Sequence, residues 1–309
     1  MSLAADQNAL VPGALGGGPA ARAGLASRRG LTLRQRVGRG PGLLVGISAT
    51  WIVLLIVVSL TVQWLPVHDY ATSVGLPNLS PSWGHELLGT DAAGRSMLSR
   101  LLYGARTSVM ISVVATALGL AVGSLLGVCS AFFGSVISTI GDIIANSILA
   151  IPALVLLLGV VLALGSSLTT IMLACAVVFV PLYLRLARAE AARQLARDYI
   201  VAARGLGASS RRIIFRELVP NILPSLISFT ALVVPSVMII EGTLSFLGYG
   251  VQSPTPSWGN MIALGDQSIT TAPWGTLLPC ILFGVTIFSM ITIGDYLRGR
   301  MSAGSSVNR

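Results

Sequence analysis

The chain has 309 residues, 54% of them apolar and only 10% charged, with a formal net charge of +9. A soluble domain carries roughly 25% charged residues, so this chain cannot cover a water-facing surface, and its composition places it in a membrane. All 20 basic residues are Arg. Without Lys there is no phosphate-loop lysine and no Schiff base, which excludes nucleotide hydrolysis and pyridoxal chemistry of the lysine-dependent kind. Two His and three Cys make a His/Cys metal cage a poor fit. Cys129, Cys175 and Cys280 sit in apolar runs as inert thiols, and no disulfide framework is readable.

Residues 1–42 form an Arg/Gly-rich stretch without apolar period, read as a disordered tail. Charge-free runs then mark the spans, since a helix needs about 20 apolar residues to cross. The first is 43–65. Residues 66–106 follow as an outer segment, and the charge-balanced run from His85 to Arg106 suits a short interfacial helix. The second span lies within 107–133. The uncharged run 143–184 holds two spans joined at 165–170. A basic segment, 185–217, precedes the fifth span at 218–240, where Pro220, Pro224 and Pro235 predict kinks. Residues 242–273 read as an outer loop with short helices. The sixth span is 274–293, and 297–309 is a tail. The region 107–296 thus forms a five-helix core behind the first span.

Six spans put both termini on one side. With that side inside, the inner segments hold 17 Arg and the outer segments only Arg95, Arg100 and Arg106. The excess predicts cytoplasmic termini. Trp64, Tyr103 and Trp274 mark outer span ends; Tyr183 and Tyr296 mark inner ones. The positive charge therefore serves topology, and nucleic acid is not an expected partner.

Asp142, Glu241 and Asp295 fall at predicted span ends, so no carboxylate sits mid-bilayer to couple protons or sodium. The bundle can shape a path but has no evident energy source of its own. Gly119, Gly123 and Gly127 are spaced to share one helix face and admit a close neighbour. That neighbour is either a helix of this chain or one of a partner. Glu241 either lines a path or satisfies backbone N–H groups at a helix start. The segment 185–220 is basic and helix-prone, is broken near Gly205 and Gly207, and resumes at Arg211. Long inter-span loops of this kind are often functional, and this one has the form of a rigid handle.

The handle resembles the signature loop of bacterial binding-protein-dependent ABC transporter permeases, E-A-A-x3-G-x9-I-x-L-P. Ala202, Ala203, Gly207 and Pro220 match at the right spacing; Val201, Glu217 and Val219 stand where the pattern has Glu, Ile and Leu. Two further stretches resemble the dipeptide/oligopeptide subfamily, its C-type subunit. These are Gly89-Thr-Asp-x-x-Gly-Arg95 with Ser99, Arg100, Gly104, Arg106 and Ser108, and Glu241 with Leu244-Ser-Phe-Leu-Gly248 and Gly250 through Trp258-Gly259. The motifs run in order from 85 to 260.

The resemblance implies an all-α membrane protein with six transmembrane helices, the type I ABC importer permease fold, in a bacterial inner membrane. It implies a non-catalytic subunit for import of short peptides. Its partners would be a homologous second permease, two cytoplasmic ATPase subunits or domains that bind ATP and Mg, and an extracytoplasmic peptide-binding protein. This chain itself would hold no cofactor. The coupling loop would be Ala202, Ala203, Gly205, Leu206, Gly207 and Ala208; Glu241, Ser245 and Phe246 would line the path or an outer gate. The partner-packing reading of Gly119, Gly123 and Gly127 gains weight. Alternatives are a nickel or metal-chelate permease and, in a different class, a secondary carrier or channel.

Overall fold

In the computed structural model, residues 42–83 and 86–307 are described; the expected disordered tail and His85 lie outside them. All elements among the described residues are helical, and they belong to one unit beginning at Leu43. Helix α1 is Leu43–Thr61, extended by a 3-10 turn at Val62–Trp64. It stops before Pro66, because proline drives the residue before it out of helical geometry.

Helix α2 is Met97–Phe133, 37 residues long. At 1.5 Å per residue it measures about 55 Å, well beyond the ~30 Å hydrocarbon core. This corrects the expectation of a separate interfacial helix: Met97–Arg106 is the first part of the long helix, with no break before the span. The charges that suggested a boundary are accommodated within the protein, as described below.

The expected third span is broken. Helices α3, Ser135–Leu149, and α4, Ala153–Leu164, meet at an 89° bend. Pro152 causes it, since it has no N–H to donate and pushes Ile151 out of helical geometry. Among the described residues, five helices are long and apolar enough to cross a membrane, or six if this bent pair is one span.

Helix α5, Leu168–Leu195, is N-capped by Ser167, whose Oγ accepts from Thr170 N at 3.0 Å. Its basic end is a continuation of the span. It breaks at Ala196-Arg197, so the helix-prone segment is interrupted once before the expected break near Gly205 and Gly207. The helix that follows is α6, Asp198–Gly205. Asp198 in its first turn suits the positive end of the helix dipole.

A π-helical segment, Ile213–Leu218, leads into α7, Val219–Phe246. Pro220 follows the π segment within the continuous helical run Ser210–Phe246, and its missing N–H removes one helical hydrogen bond there. Pro224 and Pro235 lie inside the helix. The helix overruns 242–246, which sequence had placed in the outer loop. Helix α8, Trp258–Asp266, occupies that loop's centre. Helix α9, Trp274–Val307, runs through the expected tail. An Asp295–Arg298 pair lies along it, and no proline stops it.

The main core lies where α2, α5 and α7 meet, around buried Ile111, Ala115, Ile171, Tyr183, Leu226 and Val237. Tyr183 and Thr230 share a hydroxyl hydrogen bond of 2.9 Å between α5 and α7. A second cluster joins Leu55, Met97, Leu101, Met238, Trp258 and Met261. Helix α1 is held against α9, with Trp51 Nε1 donating to Thr286 Oγ1 at 3.0 Å.

Candidate functional site: an exposed crest and a buried carboxylate knot

The bundle presents different chemistry at its α6 and α8 ends. At the α6 end, α6 closes in a left-handed turn. Ala208 N donates to Ala203 O and Gly207 N to Arg204 O, both at 3.0 Å. This pair of bonds is the Schellman motif, in which the first of the two donor residues must be left-handed. Gly207 is that residue, with φ +81°. Leu206 N donates to Ala202 O at 3.0 Å.

The crest so formed is exposed and largely apolar. Leu206 is 89% exposed and Val201 61%. Ala202, Gly205 and Gly207 are exposed as well, with Ala203 and Ala208 half-buried. A Cβ at Gly205 or Gly207 would meet nothing within 4 Å. Beneath, Ile200, Ile213 and Leu218 are buried. Tyr199 OH donates to Gln194 Oε1 at 3.2 Å and accepts from Asn221 Nδ2 at 3.4 Å. The six expected coupling residues therefore come together as one exposed turn on a buried footing.

At the α8 end, Glu241 is 0% exposed although it lies inside α7. Ser245 Oγ donates to Glu241 Oε1 at 2.7 Å. Ser257 Oγ donates to Ser245 Oγ, and Asn260 N to Ser257 Oγ, each at 3.3 Å. The Ser108 hydroxyl also faces the carboxyl and accepts from Trp258 N at 3.2 Å. Glu241 thus gathers α2, α7 and the N-terminus of α8. Of the two readings of Glu241, the helix-start one takes an indirect form: the carboxyl meets the start of α8 through serine hydroxyls and not through its backbone N–H groups. Of the expected path residues, Glu241 and Ser245 are buried together, and Phe246 stands half-exposed beyond them.

Glycines let the knot close. A Cβ on Gly259 would lie 2.6 Å from Gly242 O, and one on Gly242 would lie 2.6 Å from the Phe283 ring. Trp258 fills the space beside Gly104, its Nε1 donating to Leu101 O at 3.0 Å. Ser108, Trp258 and Gly259 stood in the sequence motifs without a role; which elements they join is set only by the fold.

Sequence reasoning missed Arg100 as a buried residue. It is 1% exposed, with Nε 3.2 Å from Asp91 Oδ2. Its Nη1 donates to Tyr70 O at 3.3 Å and Pro254 O at 3.2 Å. Asp91 also pairs with Arg95 at 2.7 Å, and its Oδ1 accepts from Ala93 N and Arg95 N. The Gly89–Arg95 motif is therefore a turn that folds the outer segment onto α2. The signal was the Asp91, Arg95, Arg100 spacing.

Gly119, Gly123 and Gly127 face α5 of the same chain. A Cβ on Gly123 would lie 2.6 Å from Val180 O, and one on Gly127 2.5 Å from Leu184 O. Gly119 meets Ala176 O at 3.3 Å. This settles the alternative: the stripe is an internal seam, and the reading of it as a partner-chain contact is set aside.

The sequence profile of the binding-protein-dependent transport system inner membrane component family matches residues 119–303. The di/tripeptide transport system permease protein DppC of Pseudomonas aeruginosa is 35% identical, over 80% of this chain and 84% of that one. The probable D,D-dipeptide transport system permease protein DdpC of Escherichia coli is 36% identical, over 81% and 84%. The oligopeptide transport system permease protein OppC of Bacillus subtilis is 32% identical, over 80% and 81%. Among solved structures, a chain of the MetNI methionine ABC transporter in an inward-facing conformation aligns with a TM-score of 0.51 at 18% identity. The alignment covers 66% of this chain and 97% of that one. At that identity the likeness is one of fold.

Proposed function

The chain belongs to the inner membrane components of binding-protein-dependent transport systems, and on that premise we propose that it is one permease subunit of an ATP-driven importer of short peptides. The cargo class rests on the relatives, whose names specify dipeptides, tripeptides and oligopeptides. The partners are a homologous second permease completing the path, two cytoplasmic ATPase subunits carrying ATP and Mg, and an extracytoplasmic peptide-binding protein. The Arg asymmetry supports an orientation with α6 and both termini in the cytoplasm and α8 outside.

The observation that carries the mechanism is the crest. Leu206 at 89% exposure and Val201 at 61% stand together on a turn locked by two backbone hydrogen bonds, a fixed apolar projection suited to a groove on another protein. Ile200, Ile213 and Leu218 tie the turn to α7, and α7 carries Glu241 at the far end. A push on the crest by the ATPases is passed to α7 through this footing and shifts the bundle between inward and outward access. Burying Glu241 between α2, α7 and α8 makes that end a closed latch.

The test of cargo is disruption of the gene in a cell with no redundant peptide importer. Uptake of a labelled dipeptide should disappear. Persisting peptide uptake with lost nickel uptake would contradict the peptide reading.

A further inference from the structure

We propose that the junction of α2 and α7 holds an anionic phospholipid of the inner leaflet, with its phosphate among Arg211, Arg212 and Arg216 and an acyl chain in the groove above them. The inference rests on the membrane placement given above and is independent of the cargo.

Two surface depressions meet here and share one residue. The first is lined by Ser209, Arg211, Arg212, Phe215 and Arg216. All three guanidinium groups belong to exposed residues, and no acidic residue lines the depression. The second is a groove with walls of Leu120, Leu125 and Val128 from α2 and Ile222, Leu223 and Leu226 from α7, and Phe215 lines it as well. From Phe215 to Leu226 the chain rises about 17 Å at 1.5 Å per residue. That is close to half of the ~30 Å hydrocarbon core, the depth of one leaflet.

The pairing of these chemistries selects the occupant. A water-soluble protein surface would neutralise the arginines but leave the groove empty. An apolar helix of a second permease would fill the groove but leave three guanidinium groups without a counter-charge. A molecule with an anionic head and an aliphatic tail satisfies both, with the boundary at Phe215, which is 63% exposed. Basic pockets between helices on the cytoplasmic side suit such headgroups, and arginine is the side chain whose fork matches phosphate.

The experiment uses the delipidated transporter complex in detergent, titrated with spin-labelled phosphatidylglycerol and, separately, phosphatidylcholine. The wild type should favour phosphatidylglycerol by at least tenfold. Each guanidinium near an anionic headgroup contributes about fivefold, so Arg211→Gln, Arg212→Gln and Arg216→Gln combined should bring the ratio near one. These exposed replacements leave the packed core untouched. Leu223→Trp fills the groove and should weaken both lipids. Glycerol 3-phosphate, a head without a tail, should not displace the labelled lipid.

No preference in the wild type, or a preference that survives the triple replacement, would overturn the proposal. Displacement by glycerol 3-phosphate would show a free-anion site instead. Efficient cross-linking of Leu223→Cys to the second permease would show that a protein fills the groove. Lipid binding is read without transport, so a failure of peptide uptake alone would count against the cargo and not against this site.

Discussion

Ala208 N donates to Ala203 O at 3.0 Å across Gly207, the left-handed residue that makes this bond geometrically available. The bond converts the end of α6 from a fraying terminus into a fixed turn. Gly207→Asp should therefore disturb the turn and nothing else. A Cβ there meets no neighbour within 4 Å, so the cost is backbone strain of about 1 kcal/mol, with a new charge on an apolar crest. Membrane insertion and thermal stability should stay near wild type, while recovery of the ATPase on co-purification falls at least tenfold. Equal ATPase recovery would remove the crest from the coupling account.

The α2–α5 seam makes the opposite kind of prediction. Gly123→Val puts carbon within 2.6 Å of Val180 O, a backbone atom that cannot rotate away. Overpacking of this kind costs about 1–3 kcal/mol or more. The measurement is the monodisperse fraction after detergent extraction, which should drop sharply. Gly159→Ala, where a Cβ meets nothing within 4 Å, is the control and should behave as wild type.

At the α8 end, Glu241→Gln keeps an acceptor for Ser245 Oγ, and Glu241→Leu does not. The leucine variant strands buried hydroxyls, at about 1–3 kcal/mol for an unmet group. We expect Glu241→Leu to lower the thermal midpoint by several degrees and Glu241→Gln to lower it little. Equal midpoints would show that the serine chain does not depend on this carboxyl.

Orientation is checked by single cysteines in a chain with Cys129, Cys175 and Cys280 replaced by Ala. Ser82→Cys should react with an impermeant maleimide on intact cells with the outer membrane opened, and Ser305→Cys only after lysis. The reverse pattern would overturn the assignment of sides.

Much of the bundle was legible in the sequence, and the failures share a cause. The spans of α1, α7 and α9 stand out because apolar runs of about 20 residues have no other stable home. The ends differ from the sequence expectation where a charge suggests a boundary. Arg100 looked like an interfacial residue, yet Asp91 and two carbonyls hold it at 1% exposure, so α2 starts earlier. The break at Pro152 was hidden in an uncharged run, because hydropathy counts carbon and not backbone geometry. For the site, the Gly207 turn was readable from local chemistry: glycine after a helix is a local signal. The target of the glycine stripe was not, since the same spacing serves an internal or an external neighbour. The Glu241 knot joins residues 108, 241, 245 and 257, and only the fold decides that they meet.

The crest around Leu206 is proposed as the point at which ATP hydrolysis by partner subunits drives peptide movement through this chain. The most direct measurement is ATP-driven uptake of a labelled dipeptide into proteoliposomes holding the complete transporter, with wild-type chain or Leu206→Asp. Leu206 is 89% exposed, so the replacement leaves the fold intact. The account predicts at least a tenfold loss of uptake, with the thermal midpoint of the permease unchanged. Wild-type uptake by Leu206→Asp would contradict it.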